Sequence, residues 1–140
     1  MAGLAGLGAC GTTYSVPEAS AVHTQTAANM FAEEQNPGYK CSILLLDKAG
    51  LIVTGGAGPS LPAHYNKAVE GLAIGPTVGS CGTAAFWNIP VVVEDIQKDF
   101  LWRNLAPLAK KAGVAACWSH PFSSRDGRVL GALALYYPEP

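Results

Sequence analysis

Apolar and polar positions divide the chain into short elements punctuated by glycine and proline. The segment "PEASAVHTQTAANMFAEEQNPG" predicts a helix. Pro17 suits a first turn, Glu18 suits the positive end of the helix dipole, and Asn36-Pro37-Gly38 stops it. Ala21, Thr24, Ala28, Phe31 and Ala32 fall on one weakly apolar stripe, so this helix depends on a partner surface. "KCSILLLD" and "LIVTGGAG" predict two strands joined as a hairpin by "KAG". Beyond the break at Pro59–Pro62, "AHYNKAVEG" is a short helix, "LAIGPTVGS" a loop and "CGTAAFW" a second short helix. "PVVVEDI" predicts a buried strand, with valines between polar ends. "FLWRNLAPLAKKAG" is helical, interrupted at Pro107 and closed at Gly113, with Lys110 and Lys111 at its negative end.

The last two strands, "VAACWSHPF" and "RVLGALALYY", turn around Asp126-Gly127. Alternation sets Leu130, Ala132, Ala134 and Tyr136 on one face, and Val129, Gly131, Leu133, Leu135 and Tyr137 on the other. Both faces are apolar, which places this pair in mid-sheet. A closing hairpin is incompatible with a doubly wound parallel sheet. The pattern therefore predicts an α+β domain with one antiparallel sheet and its helices segregated around it. Residues 1–17, with their Gly/Ala-rich start, are expected to be a flexible leader, and residues 18–140 a single domain.

Composition narrows the function. Hydrophobic residues make up 49% of the 140 and charged residues 14%, with a net charge of −1, so a packed core is expected. No Lys or Arg precedes Lys40 and no basic run occurs, which excludes a phosphate-tracking nucleic-acid surface. No apolar run approaches the ~18–20 residues needed to span a bilayer, so no membrane partner is expected. Cys10, Cys41, Cys81 and Cys117 form no CxxC pair, and the short-turn ligand pairs of zinc sites are absent. Cys41 and Cys117 sit in apolar strands as small hydrophobes, which implies a reducing compartment, the cytoplasm.

The stretch Gly75–Ile96, "GPTVGSCGTAAFWNIPVVVEDI", sets Cys81 between glycines at the start of a helix. That position lowers a thiol pKa, so Cys81 qualifies as a nucleophile or redox sensor. It qualifies equally as a small residue where backbone meets a ligand. Gly79, Ser80, Gly82, Thr83, Ala84 and Ala85 are all small, and unpaired N–H groups at a helix start attract anions. Ser80 could cap the N–H of Gly82 or Thr83. The same small residues would also serve close packing of helix on sheet, and both uses stay open. Trp102 and Trp118 could each supply an indole N–H donor in an apolar cavity.

The element order, with "SILLLDKAG", "GSCGTAA", "FLW" and "ACWSHPFSSRDGRVLGALALYY", resembles the GAF family of sensory domains over about Ala21–Tyr137. It is most similar to GAF domains found beside histidine kinases and cyclic-di-nucleotide enzymes, and to nitrate-receptor GAF proteins. The resemblance implies a six-stranded antiparallel sheet with helices on one face and a small-molecule pocket on the other. Ser80, Cys81, Gly82, Thr83, Trp102 and Trp118 would then bind the ligand, with a small anion such as nitrate foremost. No cofactor is implied: His23, His64 and His120 lack the setting of a haem ligand, and no cysteine stands in a bilin-like context. The expected output is a partner or output domain such as a histidine kinase or cyclic-di-nucleotide enzyme. A weak homodimer through the N-terminal helix is also expected. Free methionine-R-sulfoxide reductases share a segment like "GSCGTAA", which makes a thiol redox enzyme or sensor the alternative. This chain departs from them after the next strand, where its only cysteine is Cys117. A module that binds nothing and only dimerises is the third reading.

Overall fold

The computed structural model describes residues 18–140, with side chains from Gln25 onward. Helix α1 (Glu18–Gln35) leads into β1 (Lys40–Leu46) and β2 (Val53–Ala57). Next come α2 (Ala63–Val69), α3 (Gly79–Trp87) and β3 (Val91–Val93). A 3₁₀ turn (Phe100–Trp102), α4 (Ala106–Ala112), β4 (Ala116–Ser123) and β5 (Val129–Tyr137) complete the order. The strands form one sheet, β2-β1-β5-β4-β3, with every neighbouring pair antiparallel. The α+β class and the mid-sheet place of β5 follow the sequence pattern.

Among the described residues five strands stand where six are expected. The loop Gly71–Ile74 supplies the remnant: Leu72 O accepts from Val53 N, Ile74 N donates to Leu51 O, and Ile52 bridges Ala73. Gly71 at one end and Gly75-Pro76 at the other leave no room for a longer ladder.

The sheet has two unlike faces. On one, Leu44, Val93, Cys117, Ala134 and Tyr136 pack against α2, α3, the 3₁₀ turn and α4 in the main core. On the other, α1 lies over β1 and β2. The stripe expected to anchor α1 does not do so. Phe31 is 65% exposed and Ala28 is exposed, while the side chains of Ala21 and Thr24 fall outside the described residues. The docked stripe is polar instead, at the i, i+4, i+8 spacing Gln25–Asn29–Glu33. Gln25 Nε2 donates to Ile43 O at 3.3 Å, Asn29 Nδ2 to Ala57 O at 2.6 Å, and Glu33 accepts from Cys41 N at 2.8 Å. These side chains satisfy backbone groups of β1 and of the end of β2, which is why polar residues are buried there.

β3 corrects a second expectation. The expected buried strand is a three-residue edge whose Val92 is 64% exposed. Pro107 does not interrupt a helix but sits in the first turn of α4, where a missing N–H costs nothing.

Candidate functional site

Helix α3 begins at Gly79, whose φ of 57° favours glycine. A Cβ there would also lie 3.2 Å from Leu105 and 3.7 Å from Trp102. The helix start is organised by Thr83, not by Ser80. Thr83 Oγ1 accepts from Val78 N at 3.0 Å and donates to Gly79 O at 2.6 Å. Ser80 is fully buried and turned across the helix, where its Oγ accepts from Trp102 Nε1 at 2.9 Å. Trp102 is itself buried and held by the 3₁₀ turn, whose Asp99 carboxylate accepts from Leu101 N at 2.8 Å.

Cys81 Sγ lies 3.1 Å from Ser119 Oγ on β4, and Cys117 Sγ lies 3.6 Å from that same hydroxyl. Nearby, Tyr65 OH donates to Tyr136 OH at 3.1 Å, and Ser42 Oγ stands 3.5 Å from it. The result is a chain of neutral hydroxyls and thiols bridging α2, α3 and the sheet. A small, partly open cavity of about 30 Å³ lies beside it, lined by Ser80, Cys81, Gly82, Trp102, Tyr65 and Tyr136 and by a larger set of apolar side chains that includes Leu44, Val53 and Val69. That volume suits one or two waters.

The structure thus gathers Ser80, Cys81, Gly82 and Trp102 at one cavity, with Thr83 building the helix start beneath. It does not bring Trp118 there. Alternation along β4 turns Cys117 and Ser119 toward α3 and Trp118 to the opposite face, 36% exposed, so the two indoles share no pocket. Phe86 and Trp87 are exposed, with Trp87 Nε1 donating to Pro76 O. Sequence reasoning missed Ser42, Tyr65, Ser119 and Tyr136. A serine in mid-run of "KCSILLL" and another in "ACWSHPF" were the available signals, since a buried strand hydroxyl needs a partner.

Burial dominates the acid–base behaviour. It pushes the Cys81 thiol up to about 11 against the opposing hydrogen bonds from Ser119 and Tyr136. Cys117 is raised further by burial and the neighbouring Cys81, and Tyr65 and Tyr136 are raised by burial. Each group is an acid whose folded pKa exceeds its unfolded one, so the native state holds more protons at alkaline pH. The associated stability is complete below the unfolded thiol range of about 8.5, and is lost as pH rises through it toward the folded values. Stability in urea should therefore fall between about pH 8.5 and 11, and Cys81→Ala should flatten that slope. A flat profile would show the thiols to be solvated.

The sequence profile of the GAF domain family matches residues 25–140, and the chain belongs to that family. It is 38% identical over 109 residues to the "Methyl sulfide methyltransferase-associated sensor" of Methanosarcina acetivorans, a match covering 78% of this chain and 11% of that protein. The chain thus spans about a ninth of that relative's length. Among solved structures it resembles a domain assigned to a two-component sensor histidine kinase protein of Sinorhizobium meliloti 1021. That match has a TM-score of 0.63 and 26% identity, and covers 90% of this chain and 76% of the other. The type II free methionine-R-sulfoxide reductase of Thermoplasma acidophilum shares the fold, with TM-score 0.60 and 18% identity over 85% and 75% of the two chains. The domain is a GAF domain, and the curated relative that it matches is named as a sensor.

Proposed function

We propose that this GAF domain is a non-enzymatic receptor for a small molecule, and that ligand occupancy biases an output domain or partner such as a histidine kinase or a cyclic-di-nucleotide enzyme. The observation that carries the reading is the small cavity where Ser80, Cys81, Gly82 and Trp102 meet Tyr65 and Tyr136. Its polar groups converge from α2, α3, the 3₁₀ turn and the sheet, so a guest there touches most of the core at once. No Lys or Arg lines it. Positive potential must come from the N–H groups at the start of α3, which carries no side-chain cap from its N-cap residue.

The cavity holds only about 30 Å³. A guest the size of nitrate enters only if Trp102 or the start of α3 moves, and that movement is what a sensor needs. A ligand shifts a two-state equilibrium only by binding one state better than the other. Nitrate is the first ligand to test, with small carboxylates next. A ligand specific for the folded state stabilises it by about 2.7 kcal/mol at a hundredfold excess over Kd. Millimolar nitrate should therefore raise Tm by several degrees, and Gly79→Ala, which crowds Leu105 and strains a backbone at φ 57°, should abolish the rise. An unmoved Tm with nitrate and the carboxylates removes the anion reading.

The thiols support a receptor over a redox enzyme. An attacking thiol needs a thiolate, and Cys81 is pushed up to about 11 by burial. We further propose a reducing, cytoplasmic setting, in keeping with the free thiols of Cys41, Cys81 and Cys117. Among the described residues no helix is long and apolar enough to cross a membrane. A weak homodimer is proposed through the outward side of α1, where Met30 is 58% and Phe31 65% exposed. Sedimentation over a concentration series should show association that Phe31→Glu removes; a strict monomer at high concentration would end this reading.

A further inference from the structure

Among the described residues, the half of the sheet face that α1 leaves bare, formed by β5, β4 and β3, is shaped and charged for an occupant. Its floor is Leu135, Trp118 and Val92, side chains that alternation points away from the core. The Tyr39 and Tyr137 rings, with centroids 3.8 Å apart, wall one end. The whole forms an open groove of about 880 Å³.

Two physical features define what fits. The first is width. Three strands span two interstrand gaps of about 4.8 Å, or roughly 10 Å, and an α-helix with side chains is about 10–12 Å across. One helix laid beside α1 would complete this layer as α1 completes it over β1 and β2. The second is charge. Glu94, Asp95 and Glu139 line the groove and no Lys or Arg does. Among the described residues only Asp95 is ion-paired, with Lys98 at 3.5 Å. A second copy's α1 fits poorly by this criterion. It contains no Lys or Arg, and it would bring Glu33 and Glu34 against Glu94 and Glu139.

We propose that this half-face is the docking site of a partner helix that is amphipathic and basic, with an apolar stripe for Val92, Trp118 and Leu135 and Lys or Arg facing the acidic rim. The site lies on the opposite face of the sheet from Ser80 and Trp102, so it stands independently of the receptor reading. Docking through it would place a signalling helix one sheet thickness from the cavity, across the strand that carries both Trp118 and Ser119.

The test uses the full chain and two synthetic 14-residue helical peptides, one a repeated Lys-Leu-Ala-Lys-Leu-Ala-Lys and one with Glu for each Lys. Titration followed by NMR should shift the Val92 and Leu135 methyls and the Trp118 indole with the Lys peptide only. Affinity should fall at least tenfold between low salt and 0.5 M salt. Val92→Lys and Glu94→Lys replace exposed side chains, so Tm should hold while affinity drops at least tenfold; Phe31→Lys should change nothing. Equal binding of both peptides, no binding, or shifts centred on Met30 and Phe31 would each overturn the proposal. Shifts of the groove residues on simple concentration, without peptide, would assign the face to a second copy and overturn it equally.

Discussion

Gly131→Ala should destabilise the fold by about 3 kcal/mol, at the upper end of what overpacking costs. The reason is backbone, not side chain. Gly131 on β5 pairs with Leu45 of β1 and with Phe122 of β4, and the β4–β5 ladder shifts register immediately beyond it, at Phe122/Ser123. A Cβ on Gly131 would sit 2.1 Å from Leu44 O and 2.7 Å from Phe122 Cζ. The phenyl ring could rotate away, but the carbonyl belongs to β1 and cannot. Relief requires separating β1 from β5, the centre of the sheet. With total stability of about 5–15 kcal/mol for an ordinary domain, that loss is a large share.

A control is built into the same register. Leu45 also pairs with Gly55 on β2, and a Cβ on Gly55 meets nothing within 4 Å. Gly55→Ala should leave Tm within a degree or two, or raise it slightly, because alanine loses less backbone entropy in a strand. The Gly131 variant should melt about 10 °C lower. Equal melting of the two variants would mean that β5 does not approach β1 as described.

The parts of this fold legible in the sequence are those where side-chain pattern and burial have the same cause. The β4–β5 hairpin is the clear case: "DG" places Gly127 at φ 89°, and alternation buries Ala132, Ala134 and Tyr136 together. Pattern failed where backbone groups set the packing. The face of α1 that docks is Gln25, Asn29 and Glu33, because β1 and β2 offer backbone groups to be satisfied there. Hydrophobicity alone points to the other side of that helix. The edge position of β3 was equally hidden, since a run of valines reads alike in a central strand and beside a bare face. At the site, the glycine-rich start of α3 was legible from composition, and Trp102 joined it. Trp118 did not, because one residue of register along β4 separates the two faces. The hydroxyl cluster was illegible for a different reason. Ser42, Tyr65, Ser119 and Tyr136 come from four elements, and no local spacing brings them together.

Trp102→Ala should be the most damaging single change near the cavity, costing about 3–5 kcal/mol through lost burial and the void left behind. Trp102 packs in the main core, and its ring lies against Gly79, where a Cβ would be 3.7 Å away. The indole also holds the hydroxyl of Ser80, so two losses coincide in this variant. Trp102→Phe separates them. Phenylalanine keeps most of the apolar surface but removes Nε1, the donor to Ser80 Oγ at 2.9 Å. Ser80 has no exposure to water, so its hydroxyl is left seeking another partner, at about 1–3 kcal/mol. If the hydrogen bond matters chiefly to stability, Trp102→Phe combined with Ser80→Ala should recover much of that loss, because both polar partners are then gone. If it also gates the cavity, the double variant should regain Tm in buffer yet respond differently from the parent to an added ligand. Indole gives a direct reading of the space itself. It should raise the Tm of Trp102→Ala, whose cavity matches it, and leave the parent chain unmoved. A parent chain stabilised by indole would mean the cavity widens far more readily than its volume of about 30 Å³ implies.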